Sequence, residues 1–252
     1  MRNSTDSADP PDLPYGHRAK IGLVIPSNNT VIEPELWSMR PAGVTVHGHR
    51  IQARGNTPEG IVEMEKSADR AVGELAHGRM TAIMYACLAT SLVKGLDWTR
   101  SVAARIQTST SIPAGTAAGA TFDAVRSTGA HRVAIASPYP DRIQSLLPPF
   151  VAEYGLELVS ARNMGIQNSL ELWKISGDTL REFVRAADHP KAEVMCIVAT
   201  DLPTVVEIAT LEQELGKPVI TTNQAILWKA LALCGIDQPI QGFGQLLEKA
   251  RA

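Results

Sequence analysis

Cys87 is the residue best placed for chemistry. It closes the apolar run 80–87 (MTAIMYAC) and opens the polar stretch Cys-Leu-Ala-Thr-Ser. A sulfur there can face a cleft beside backbone amides and the start of a following helix. Such dipoles favour a thiolate, which serves as nucleophile or base. The competing reading is a small buried hydrophobe, the common fate of a free cysteine. Cys196 lies inside the apolar run 194–199 and, by strand alternation, faces away from position 199, so it is assigned to the core. Cys234, in Leu-Ala-Leu-Cys-Gly, reads as the last turn of a helix and also as core.

Polar loops follow the ends of other apolar runs. Pro26-Ser-Asn-Asn-Thr offers Ser27, Asn28, Asn29 and Thr30 as neutral donors, and amides at a helix start there would favour an anion. Helix capping explains the same residues equally well. Ser137-Pro-Tyr139-Pro-Asp141 brings a phenol to another run's end, although it is also a good turn sequence. Thr200-Asp201 and Thr221-Thr222-Asn223 add polar groups whose default role is capping. No Gly-x-Gly-x-x-Gly, phosphate loop or Gly-x-Ser-x-Gly elbow is present. His47 and His49 form a close pair without a third ligand, so no metal site is expected. The expectation is chemistry without a cofactor.

The elements that must position these residues alternate. Runs 20–26, 44–51, 80–87, 132–138, 156–160, 193–199 and 218–222 read as strands. Stretches 57–77, 97–107, 117–128, 141–154, 170–187, 203–215 and 225–234 carry helical spacing, and several end in glycine. This pattern predicts an α/β fold with parallel sheets. A shift of 112 positions lays Lys20–Pro26 over Arg132–Pro138 and Met84–Cys87 over Cys196–Ala199. The repeat predicts two similar lobes across a pseudo-twofold axis. Ligands of open parallel sheets bind beyond the carboxyl ends of the strands, which places the cleft at the loops after Pro26 and Pro138, at Cys87, and at the stretch from Ala199.

Composition narrows the class. The 252 residues are 44% hydrophobic and carry 24 Lys plus Arg against 26 Asp plus Glu, enough for a sizeable core without a basic face. Nucleic-acid and membrane partners are not expected, since no apolar run reaches the roughly 20 residues of a membrane span. Three widely spaced cysteines suit a reducing, cytoplasmic setting. Residues 1–18 read as a disordered leader. The four tryptophans, Trp37, Trp98, Trp173 and Trp228, are assigned to core or helix packing.

Taken together, Ile25-Pro-Ser-Asn-Asn-Thr, Thr57-Pro-Glu-Gly60, Tyr85-Ala-Cys-Leu88, Ser137-Pro-Tyr139 and Gly216-Lys-Pro-Val-Ile-Thr-Thr-Asn-Gln224 resemble the aspartate/glutamate racemase superfamily. The likeness is greatest to its maleate cis-trans isomerase and arylmalonate decarboxylase branch and runs from about Ile21 to Gly244. The ending Thr-Asn-Gln-Ala-Ile-Leu-Trp228 is also similar to ectoine-utilisation members. The resemblance implies two Rossmann-like lobes, 19–116 plus 219–252 and 117–218, and a small carboxylate substrate. It implies a cofactor-free enzyme that forms a homodimer or higher homo-oligomer. It makes Cys87 the nucleophile that adds to a cis double bond. It assigns Asn29, Tyr139 and Asn168 to the substrate carboxylates, with Ser27, Asn28, Leu88 and Thr200 around them.

The sequence departs from that pattern at position 199. Both the spacing from Gly216-Lys-Pro and the internal repeat place a second cysteine there, and the chain has Ala199. Leu88 and Ala89 also lack the hydroxyls that the branch's decarboxylases use to hold carboxylate. A maleate-isomerase-like reaction through Cys87 is therefore the leading expectation. The alternatives are a carbanion-forming racemase or decarboxylase, or a carboxylate-binding protein impaired at 199, whether Ala199 is natural or an engineered replacement for cysteine.

Overall fold

The computed structural model describes residues 15–55 and 57–249. Two four-stranded parallel sheets organise it. The first runs in the order β2 (Val44–Ile51), β1 (Ala19–Pro26), β3 (Ala82–Tyr85), β4 (Ala114–Thr116). The second has the same order: β6 (Glu157–Asn163), β5 (Arg132–Ser137), β7 (Val194–Ile197), β8 (Val219–Thr221). The 112-residue repeat is thus a repeat of topology. In β1, Ile21, Leu23, Val24 and Ile25 are buried on both faces, as are Val133 to Ala136 of β5. That is why these central strands read as continuous apolar runs.

Helices cover both sheets: α1 (Ile32–Met39), α2 (Pro58–Glu65), α3 (Ala68–His77), α4 (Leu88–Lys94), α5 (Leu96–Thr110), α6 (Ala117–Ser127), α7 (Asp141–Gln144), α8 (Leu147–Glu153), α9 (Gly177–Ala187), α10 (Ile208–Leu215), α11 (Thr222–Leu233) and α12 (Gln245–Glu248). α11 is buried almost all round and packs on α6 and on α1, as expected of a helix apolar on every side.

Several expectations are corrected. The helical stretch 57–77 breaks between α2 and α3, and 170–187 divides into a 3-10 turn (Ser169–Lys174) and α9. α1 and α4 supply the helix starts expected after the Pro26 loop and after Cys87, whereas the three-residue β4 was not anticipated. The strand at 219–221 pairs with β7, so it joins the second sheet rather than the first-lobe segment 219–252 expected for it. Of the expected leader, residues 1–14 lie outside the described residues, whereas Arg18 is tied down, its guanidinium donating to Ala42 O (3.1 Å) and Gln238 Oε1 (2.7 Å). Trp37 and Trp173 are exposed rather than packed, with the Arg40 guanidinium 4.2 Å from the Trp37 ring centre. No helix among the described residues is long and apolar enough to cross a membrane.

Candidate active site

The equivalent strands β3 and β7 end in equivalent ways. Ala86 N donates to Val24 O (2.8 Å), and Val198 N donates to Ala136 O (3.0 Å), one residue past each strand. Cys87 and Ala199 therefore leave the two sheets at matching points. Cys87 has extended backbone and forms the N-cap of α4, so the first amides of that helix surround its sulfur. The N–H groups of Ala89 and Thr90 and the Thr90 hydroxyl turn toward it and favour the thiolate, but burial outweighs them and pushes the thiol pKa up. Tyr85 fixes the Thr90 rotor: its hydroxyl donates to Thr90 Oγ1 (3.3 Å), leaving the Thr90 proton to point elsewhere.

A cleft opens between the two strand ends. Its walls include Pro26, Asn28, Cys87, Leu88, Pro138, Tyr139, Thr200 and Asp201, with Ser169 and Leu172 from the 3-10 turn and Ile61 and Met64 from α2. No Lys, Arg or His is among the described residues that line it. Among the described residues, no group of three His, Cys, Asp or Glu side chains gathers as a metal site. Asp201, the one carboxylate among the described residues of the cleft wall, has its pKa pushed up to about 6 by burial, against the pull of its own backbone N–H. Asp201 and Cys87 both act on Tyr139, whose hydroxyl is held well above its ordinary pKa, chiefly by burial.

Hydrogen bonds between the lobes fix this geometry. Asn28 Nδ2 donates to Ser169 Oγ (2.7 Å), joining the loop after β1 to the 3-10 turn. Asn29 Nδ2 donates to Thr200 Oγ1 (3.0 Å), while its Oδ1 accepts from Val31 N (2.9 Å) and Ile32 N (3.1 Å) at the start of α1. Glu35, buried on α1, accepts from Thr204 N (2.5 Å), Val205 N (2.9 Å) and Asn223 Nδ2 (2.6 Å). Burial raises its pKa despite those donors. Asn223 Nδ2 also donates to Thr200 O (3.1 Å). The segment carrying Thr200 and Asp201 is thereby held at its side chain, its carbonyl and its following turn.

The structure brings Cys87, Asn28, Leu88, Tyr139 and Thr200 together in the cleft wall. Four other expected residues stand outside that wall. Ser27 is exposed, its hydroxyl accepting from Ala53 N (3.0 Å). Asn29 is buried behind the wall, bonded to Thr200. Asn168 is exposed and caps the 3-10 turn through Leu170 N (3.1 Å), so its neighbour Ser169 faces the cleft instead. Ala199 is 1% exposed, belongs to the core and is not among the cleft-lining residues. Cys196 is fully buried, and burial alone raises its pKa. His47 and His49 are used locally, His47 with Thr45 (2.8 Å) and His49 with Glu74. Sequence reasoning left Asp201 as a cap and did not find Glu35. The only available signal for Glu35 was an acidic residue on the apolar face of a short helix.

Residues 21–247 match the family model described as arylmalonate decarboxylase. A maleate isomerase of Pseudomonas putida is 29% identical over 247 residues, covering 92% of this chain and 98% of the relative. The crystal structure of a cysteine-to-alanine variant of a P. putida maleate isomerase with maleate superposes with a TM-score of 0.87 at 26% identity, covering 91% of this chain and 97% of the other. A cysteine-to-serine variant of Nocardia farcinica maleate cis-trans isomerase, with a covalently bound succinylcysteine intermediate, gives 0.86 at 25% identity, with 91% and 98% covered.

Proposed function

Because the chain belongs to the arylmalonate decarboxylase family, we propose that it is a cofactor-independent cis-trans isomerase of a small dicarboxylate of the maleate type, acting through Cys87. The observation that carries this reading is the placement of the Cys87 sulfur at the N-cap of α4, in the wall of a cleft lined by neutral donors. The thiolate adds to one alkene carbon, the central bond becomes single and rotates, and loss of the thiolate releases the trans acid. Asn28, Ser169, Tyr139 and Thr200 supply hydrogen bonds for the two carboxylates. Leu88, Leu172, Ile61 and Met64 give apolar walls that favour a short carbon skeleton. The maleate in the P. putida structure and the succinylcysteine in the N. farcinica one support this choice of substrate and nucleophile. A cytoplasmic setting belongs to the same proposal and is supported by three free thiols.

Cys87→Ser is the direct test. Hydroxyl for sulfur preserves the cap geometry but removes the nucleophile, so conversion of maleate to fumarate falls at least about 1000-fold. Retained turnover would remove Cys87 from the mechanism. Trapped Cys87 from the parent protein, digested and weighed with maleate present, carries the added mass of one maleic acid.

A further inference from the structure

We propose that Asp201 is the proton carrier for the Cys87 reaction, occupying the role for which position 199 offers only a methyl group. The inference rests on the isomerase reading and deepens it. Three features of the site lead there. First, Ala199 is packed in the core, whereas Asp201, two residues on, lines the same cleft as Cys87. Second, the segment bearing Asp201 is fixed by Asn29, Asn223 and Glu35, which is how a proton donor is held within reach of one carbon. Third, no cationic side chain is among the described residues that line the cleft. An ionised Asp201 would face a substrate carrying two carboxylates with nothing to offset the repulsion, so a bound dicarboxylate favours the protonated acid.

The proton count closes with these two groups alone. Reaction starts from the ionised fraction of the complex: Asp201 as carboxylate, made more basic by the substrate's charge, takes the proton of the Cys87 thiol while sulfur bonds to the first alkene carbon. The alkene pair moves to the second carbon, where it is delocalised into the attached carboxylate. Asp201, now the acid, gives its proton to that second carbon, so the elements of S–H have added across the double bond. After rotation, Asp201 takes a proton back from the second carbon, that C–H pair rebuilds the double bond, and the C–S pair leaves with sulfur. Asp201 then returns the proton to Cys87.

The groups that face Asp201 are few. Cys87 comes from the end of the first sheet and Tyr139 from the loop after β5. Glu35, on α1, is turned instead to the Thr204 and Val205 amides, three and four residues further along the chain than Asp201. Burial already lifts Asp201 into the range where it exchanges protons near neutrality.

The test compares the parent with Asp201→Asn, a change that keeps shape and removes the titration. Turnover is measured with maleate and with fumarate. Binding is measured between pH 6 and 8 with succinate, which has no double bond to react. The expected result is at least a 100-fold loss of turnover in D201N, with succinate still bound. The parent's succinate affinity should weaken as pH rises through the Asp201 titration, by up to about tenfold per pH unit, while that of D201N stays level. If D201N turns over within about threefold of the parent, or if parent binding ignores pH, Asp201 is not the carrier and the isomerase reading stands. If the parent itself neither converts maleate nor forms a Cys87 adduct, both readings fall together.

Discussion

Asp201→Asn should stabilise the protein, and by more at pH 8 than at pH 5. Burial lifts the Asp201 carboxyl from its ordinary 3.8 to about 6 in the folded chain. The folded state therefore holds this proton more tightly than the unfolded state does. The favourable contribution is fully present below the unfolded value and is lost as pH rises through the folded one. At about 1.4 kcal/mol per pKa unit, keeping Asp201 ionised costs the parent about 3 kcal/mol at pH 8. At pH 5 the acid is mostly protonated when folded, and the same linkage leaves a cost of about 1.6 kcal/mol. The advantage of D201N should thus grow by about 1.4 kcal/mol between the two conditions. Water at the cleft mouth lowers these figures without changing their sign. Urea unfolding of both proteins at both pH values reads the double difference directly. Glu35, whose pKa is also raised, is common to both chains and cancels. An advantage that is equal at the two pH values, or larger at pH 5, would refute the claim that Asp201 is a strained, proton-retaining group.

Two further substitutions probe the frame around the site. Glu35→Ala leaves the Thr204 and Val205 amides and the Asn223 side chain without their acceptor in the interior. It should cost about 2–4 kcal/mol in urea unfolding, and turnover should fall because Asn223 also holds Thr200. Ala199→Cys adds a sulfur at a site 1% exposed. It should cost about 1–3 kcal/mol through overpacking and change turnover by only a few-fold if Asp201 carries the proton. A rise of 100-fold or more would instead mean that a thiol at 199 is the better catalyst.

The extent to which the site was legible in the chain follows from how far apart its parts are. Cys87 was recoverable because it marks the boundary between an apolar strand and a polar stretch, a purely local signal. Tyr139 and Thr200 were recoverable because their strands repeat the pattern around Pro26 and Cys87. β4 was missed because three residues make no periodic run, and the break after α2 was missed because the apolar spacing continues across it. Asn168 and Ser169 differ by one position, and only the turn they begin decides which faces the cleft.

The sequence by itself determined the α/β class, the repeated strand ends and the cysteine that closes one of them, since each is carried by side chains close along the chain, whereas the strand order and the sheet that β8 joins were set by pairing between distant segments. Tertiary structure decided which polar residues share a cavity. Asn29 meets Thr200 across 171 positions, Glu35 meets Thr204 across 169, and Asp201 enters the cleft of Cys87 from the opposite lobe. Such pairings leave no periodicity to read: a strand-end aspartate looks like a helix cap until folding half-buries it in the cleft that a thiol also lines.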